Sequence, residues 1–447
     1  MNKLLSLLFV FSAILSGCII SGTPIGDPVF VFPGNTKTFS VKTFLSNSNF
    51  VWILDEEEVQ SGGDTFEYTA QDNGIKSHTL VVMELNSLVK DTHEWNISND
   101  ADAAPSSANN PHVPSGPGPW FEGWYTRVSD VGGSRSIAII GASSLPKDEY
   151  YTPGQYLPGY INVLISEGNG APTKSFTVYP EHTMTLVDGE PVTKNPALFS
   201  PANFEWIAEG FGTITQDSVD IIIPGVLDIH IQTENRLPYN TSRTEIGPYG
   251  ELDLLPLPLS WWIHSLGSDA QYRYTILGDS SPEISGVGYA HLEKNWGAGF
   301  PIGWVWAQGI AQGNKAQFVV STAEIDFGFF ILNAWIAGYR SPTISWDFRV
   351  SMADVNYYTE RDACAGTFLF EIADSNRKLI FDAYASPDTF GDVSTPSENG
   401  FAPETGGESF SATVAVSAYV NELLTDHQIF YNAALEFGTG YMCQGGF

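Results

Sequence analysis

The chain has 447 residues, more than one ordinary hydrophobic core accommodates, so two or three domains are expected. Its 51 Asp and Glu against 20 Lys and Arg leave a formal charge of -31, which repels a phosphate backbone and argues against any nucleic-acid partner. Simple adhesion to anionic lipid headgroups is disfavoured for the same reason, whereas a content of 43% hydrophobic and 13% aromatic residues is ample for buried cores.

The N-terminus starts with the short basic run Met1-Asn2-Lys3. Leu4 to Leu15 is then mostly apolar, yet too short to span a bilayer. Leu15-Ser16-Gly17-Cys18 follows and resembles the bacterial lipobox. That resemblance implies a signal peptide over 1–17, lipidation of Cys18, and a lipidated tether over 18–28. Ile19 stands where an inner-membrane retention signal would favour Asp, so the expected location is the outer membrane of a bacterial envelope. An ordinary signal peptide with a chance Cys is the alternative. Cys364 and Cys443 remain, and in an exported protein two such thiols are expected to form a disulfide; buried free thiols are the other reading.

Residues 29–97 alternate apolar and polar positions with the period of strands, as in Phe50-Val51-Trp52-Ile53-Leu54 and in the run around the Asn73-Gly74 turn. The pattern Trp52, Asp55-Glu56, Phe66-Glu67-Tyr68, Gly74, His78-Thr79-Leu80 resembles bacterial Ig-like or polycystic-kidney-disease-type modules, which implies a small β-sandwich. Its His78 and His93 are expected at the surface. Residues 98–119 are rich in Pro, Ser, Ala, Asn and Gly, which suits an interdomain linker with a solvated His112.

From Trp120 onward the chain is a series of short strands separated by turns rich in Gly, Pro, Asp and Asn. The fold class is all-β, and some 330 residues fit two barrels rather than one. The expected division is a first barrel over 120–280 and a second over 281–447. A weak helical period covers 420–434, and 385–410 is expected to be a long acidic surface loop. Asp347 and Arg349 share a strand face and would make a surface pair.

Two stretches stand out. One is Trp120-Phe121-Glu122-Gly123-Trp124-Tyr125-Thr126-Arg127. The other is Glu293-Lys294-Asn295-Trp296-Gly297 followed by Phe300-Pro301, Trp304, Trp306 and Gln308. With the closing Ala433–Gly438 stretch "AALEFG", they resemble the tocopherol cyclase-like family, which is similar to carotenoid hydratase and AttH-type proteins. The resemblance runs from Trp120 to the C-terminus. It implies two packed lipocalin-like antiparallel β-barrels with an apolar prenyl-quinol-like, carotenoid-like or other lipid held in a barrel. It also implies chemistry with no redox cofactor and no metal.

Ring closure or hydration at an alkene needs a proton delivered to carbon, an acid of tuned pKa and aromatic faces near the developing cation. The acid/base candidates are Glu293, Glu122, His264 and His291. Trp124, Tyr125, Tyr289, Asn295, Trp296, Trp304, Trp306 and Gln308 are the ligand-binding candidates. Strand alternation puts Tyr289, His291, Glu293 and Asn295 on one face and Lys294 and Trp296 on the other. A structural role competes throughout: Glu293 would pair with Arg127, Lys294 with Glu122, and the indoles with Asn295 or Gln308. Gly-x-Ser-x-Gly, His-Glu-x-x-His and Cys-x-x-Cys are absent, so neither a serine elbow nor a catalytic zinc has a sequence mark. A non-catalytic lipid carrier or sensor is the second functional reading, and a structural envelope protein the third.

Overall fold

A computed structural model describes residues 19–23, 29–31, 36–43, 49–71, 75, 77–84, 92–99, 110–114, 116–133, 135–168, 170–192, 203–239, 247–250, 257–278, 282–326, 328, 330–352 and 354–444. The 1–17 signal, Cys18, the Asn73-Gly74 turn and linker residues 100–109 lie outside them. The chain divides into two compact units that meet near Ser106–Ser107.

The first unit is a sandwich of two sheets. One holds Ile19–Thr23, Thr36–Thr43 and Thr65–Thr69; the other holds Val29–Phe30, Thr92–Ser98, Ser77–Glu84, Phe50–Leu54 and Glu57–Ser61. Alternating inward residues such as Phe39, Trp52, Leu80 and Trp95 fill the space between the sheets. Residues 19–23 are therefore not tether: they pair with the strand at Thr36–Thr43. Nor is His78 exposed; its ring is buried, with Nδ1 2.5 Å from Asp55. Such a carboxylate partner removes the cost of burying an imidazole.

The second unit is all-β, built on two large curled antiparallel sheets of 12 and 10 strands. Six strands carry the site. β1 (Trp120–Asp130), β2 (Leu259–Ile276) and β3 (Ile284–Gly297) belong to the first sheet; β4 (Gly303–Ile310), β5 (Gly400–Val420) and β6 (Leu423–Thr439) belong to the second. In the first sheet β3 lies between β1 and β2; in the second, β6 lies between β4 and β5. β3 thus completes the first sheet, so the barrels divide between Gly297 and Gly303, not at 280/281. The expected helix near 420–434 is strand β6, and the expected acidic loop over 385–410 is mostly the hairpin of Gly391–Ser397 with β5. In both places local polarity misled because one strand face meets solvent.

Each barrel interior is packed. Trp124, Val128, Ala290 and Leu292 point into the first core with Ile139, Val163 and Trp206. Val305, Ala307, Leu435 and Phe437 point into the second with Phe318, Phe370 and Phe381. A third core joins outward-facing residues of the two sheets, among them Trp261 and Ile263 from β2, Trp304 and Trp306 from β4, Phe410 from β5 and Ala434 from β6. Strand alternation explains this division, because i and i+2 share a face while i+1 crosses to the other. Cys364 and Cys443 form a disulfide.

Candidate active site

The outward faces of the two barrels enclose a cleft with two connected halves, of about 580 and 620 Å³ with open solvent at their mouths included. Glu293, Asn295, Phe300, Trp306 and Glu436 line both halves. Tyr249, Trp261 and Trp304 complete one half; Tyr125, Tyr160, Phe401 and Glu408 complete the other. The ligand space therefore lies between the barrels rather than inside one. Interiors filled by interdigitating apolar side chains leave no comparable room.

Three carboxyl groups meet in this cleft. Glu293 stands on β3, directly across from Tyr125 on β1. Glu408 on β5 and Glu436 on β6 are directly paired across their strands, and Glu436 also stands opposite Trp306 on β4. Two like charges at such a pair repel. Burial is the first force raising the Glu408 carboxyl, to about 8, and the Glu293 charge adds to it; the Tyr125 hydrogen bond and Arg127 act the other way. Glu436 is raised well above the ordinary carboxyl range, again first by burial, then by Glu408 and Glu293. These are the conditions for carboxylic acids that stay protonated near neutral pH.

Polar partners fix the acids. Tyr125 donates its phenolic hydrogen to Glu408 Oε1 at 2.5 Å. His291 Nε2 lies 2.8 Å from Glu293 Oε2, deep in the structure. Arg127 is fully buried and donates to Gln308 Oε1 at 2.7 Å and to Ser136 at 3.2 Å, with its cation over Phe410. Arg127 is thus not the partner of Glu293, which pairs instead with the His two residues before it on the same face. Among the described residues no group of three His, Cys, Asp or Glu side chains is arranged to hold a metal ion.

The opposite face of β3 is closed. Lys294 Nζ lies 2.6 Å from Glu122 Oε1 and donates to the Asn110 carbonyl. His112 bonds Glu122 through its backbone N–H at 2.8 Å and its Nδ1 at 2.9 Å, and it stacks on Trp296 at 4.2 Å. His112 is consequently buried, not solvated. Burial and the Lys294 charge lower its pKa to about 4, so it is neutral. Burial pushes the Glu122 carboxyl up, but Lys294 and His112 outweigh that and hold it below the ordinary value. Glu122, Lys294 and Trp296 make a braced cluster away from the cleft.

The remaining sequence candidates fall as follows. Trp304 and Trp306 line the cleft, but neither Asn295 nor Gln308 accepts the Trp306 N–H; that donor has no hydrogen-bond partner. Trp124 borders one half of the cleft while its ring stacks on Phe204, at 5.3 Å, inside the first barrel. Tyr289 lines a separate shallow groove with Asp130 and Gln312. His264 sits at an irregularity in the β2–β3 pairing; burial first, then the Lys294, Arg236 and His291 charges, hold it well below the ordinary imidazole range. Asp347 pairs with Arg340 at 2.7 Å rather than with Arg349. Glu408, Glu436 and Trp261 were not among the sequence candidates. Glu436 lies within the "AALEFG" stretch already singled out, whereas Glu408 looked like one more acid in an acidic loop.

No sequence-family model matches the chain, and no curated protein matches its sequence. Among solved structures it is similar to CghA in complex with Sch210972, at 11% identity over 76% of this chain and 96% of that one, with a TM-score of 0.47. It is also similar to kievitone hydratase from Nectria haematococca, at 11% identity over 76% and 94%, TM-score 0.37. A third is an AttH-type structure from Nitrosomonas europaea, at 10% identity over 72% and 93%, TM-score 0.39. Identities and scores this low transfer no activity to the chain.

Proposed function

We propose that the protein binds a neutral, prenyl-type apolar molecule between its barrels and cyclises, hydrates or isomerises it by acid/base catalysis. The supporting observation is the convergence of Glu293, Glu408 and Glu436 on one aromatic cleft. Aromatic walls suit an apolar ligand, and buried carboxyl groups kept neutral suit a general acid.

The chemistry follows from those positions. A protonated Glu408 or Glu436 gives its proton to an alkene carbon, the alkene electron pair forming the new C–H bond. The cation left on the adjacent carbon faces indole and phenol rings, which stabilise it. For ring closure the ligand's own hydroxyl oxygen supplies the electron pair to that carbon; for hydration water does. The oxygen's proton then passes to a carboxylate, and Glu293 is held for that role by His291. For isomerisation an adjacent C–H proton leaves instead. No electron is gained or lost overall. We also propose that Cys18 anchors the protein by lipid at the outer membrane; a product unaffected by globomycin would refute this.

The test is incubation of purified protein with a prenyl-quinol and carotenoid extract, followed by mass spectrometry of what stays bound and what is formed. Conversion by the wild type, reduced about 10²–10⁴-fold in Glu408→Gln with binding retained, is the expected outcome. A ligand that is captured but never altered would make the protein a carrier instead.

A further inference from the structure

The indole N–H groups of Trp261 and Trp306 have no hydrogen-bond partner among the described residues, although both side chains are more than nine-tenths buried, at 5% and 6% exposure. Both rings line the same half of the cleft, together with Glu293 and Glu436. They come from opposite walls: Trp261 stands on β2, across from Asn295, and Trp306 on β4, across from Glu436. Neither ring is loosely placed. Trp306 packs edge-on against Tyr125 at 5.6 Å and near His291 at 6.0 Å, while Trp261 packs edge-on against Tyr249 at 6.3 Å.

Buried indole donors ordinarily find an acceptor, and these two converge on the ligand space from either side. Trp124 also has an unpartnered N–H, but its ring belongs to the interior of the first barrel. An acceptor for the Trp261–Trp306 pair must be uncharged, because an anion there would face three carboxyl groups. It must also be compatible with apolar walls. A carbonyl oxygen meets both requirements, since its two in-plane lone pairs suit two N–H donors.

We propose that Trp261 and Trp306 form a recognition site for the carbonyl oxygen of a neutral, largely apolar ligand such as an enone, a quinone or an aryl ketone. The inference rests on the cleft being the ligand site and names the functional group it selects. Donors held on a carbonyl oxygen also draw electrons from a conjugated alkene, which primes it for addition of an oxygen nucleophile.

The probes are 2-acetylnaphthalene and 2-ethylnaphthalene, alike in shape and differing in the oxygen, with binding to the full chain followed by probe fluorescence. The wild type is expected to bind the ketone about tenfold more tightly, as two modest hydrogen bonds would give. Trp261→Phe and Trp306→Phe should each cut that preference several-fold and leave 2-ethylnaphthalene affinity nearly unchanged. On wild-type protein carrying ¹⁵N-indole tryptophan, the ketone but not the hydrocarbon should shift two indole N–H resonances, a readout that needs no variant. Equal affinity for the two probes with no selective shift overturns the carbonyl site but leaves an apolar cleft standing. Failure of both probes to bind overturns the cleft reading and the carbonyl site with it. Selectivity that survives in both variants overturns the assignment to the indoles.

Discussion

Tyr125 of the first barrel donates a hydrogen bond to Glu408 of the second at 2.5 Å, joining residues 283 positions apart across the cleft. Burial and the Glu408 charge raise the Tyr125 phenol well above its ordinary pKa, so the phenol keeps its proton and acts only as donor. That bond pulls the Glu408 pKa down against the effect of burial. Tyr125→Phe should therefore raise the Glu408 pKa further. The carboxyl C=O infrared band, followed against pH, should titrate at higher pH than in the wild type. The loss should also cost about 1–3 kcal/mol in stability, measured by urea unfolding, because a buried acceptor loses its donor.

The raised Glu408 pKa sets a definite sign for stability against pH. The folded protein holds this proton up to about pH 8, while an unfolded chain releases it near the ordinary value of 4.5. Between these limits the native state binds more protons, so unfolding free energy falls as pH rises. The contribution is fully present below the unfolded value and lost as pH climbs through about 8, at roughly 1.4 kcal/mol per pKa unit before coupling is allowed for. Glu408→Gln keeps the neutral shape without the titration. Its melting temperature should fall less than that of the wild type between pH 5 and 9, and a wild type more stable at pH 9 than at pH 5 would contradict the assignment.

Much of this arrangement was legible in the sequence, and the gaps have physical causes. Period-two alternation places His291 and Glu293 on one face and Lys294 and Trp296 on the other, and the structure has that division. What alternation does not reveal is which face looks inward. The polar face of β3 looks outward from its own barrel, and only a second barrel packed against it turns that outside into an enclosed site. Glu408 was missed because its strand carries Gly406, Gly407 and Ser409 around it, a composition that normally marks a loop. His112 was taken for a solvated linker residue because a buried histidine needs a partner, and its partner Glu122 lies ten residues on.

Lys294 and Glu122 form a buried pair, and removing one partner leaves the other charged in a place without water. Lys294→Met should cost about 3–5 kcal/mol of stability by that argument. Glu122→Gln combined with Lys294→Met should recover a good part of it, because no unpaired charge remains. Both variants should still bind 2-ethylnaphthalene, since the cluster stands behind β3 and not in the cleft. Urea unfolding and probe titration on the same preparations check both halves; equal stability of the single and double variants would mean the charges are not coupled.

Gly438 sits directly across from Trp304 in the β4–β6 pairing, and a Cβ built on it would lie 1.9 Å from the indole ring. The close approach of that ring to the backbone, rather than any special dihedral angle, is what requires glycine there. Gly438→Ala must therefore push the Trp304 ring off the strand and into the cleft it lines. Overpacking of this kind costs about 1–3 kcal/mol. Trp304 also donates a hydrogen bond that lowers the Glu436 pKa against the effect of burial, so its displacement should raise that pKa further. The variant should consequently bind 2-ethylnaphthalene several-fold more weakly and melt at lower temperature. Smaller companions separate the two effects: Trp304→Phe in the Gly438→Ala background relieves the clash and should restore melting temperature without restoring the hydrogen bond to Glu436. If the double variant were no more stable than Gly438→Ala alone, ring displacement would not be the cause.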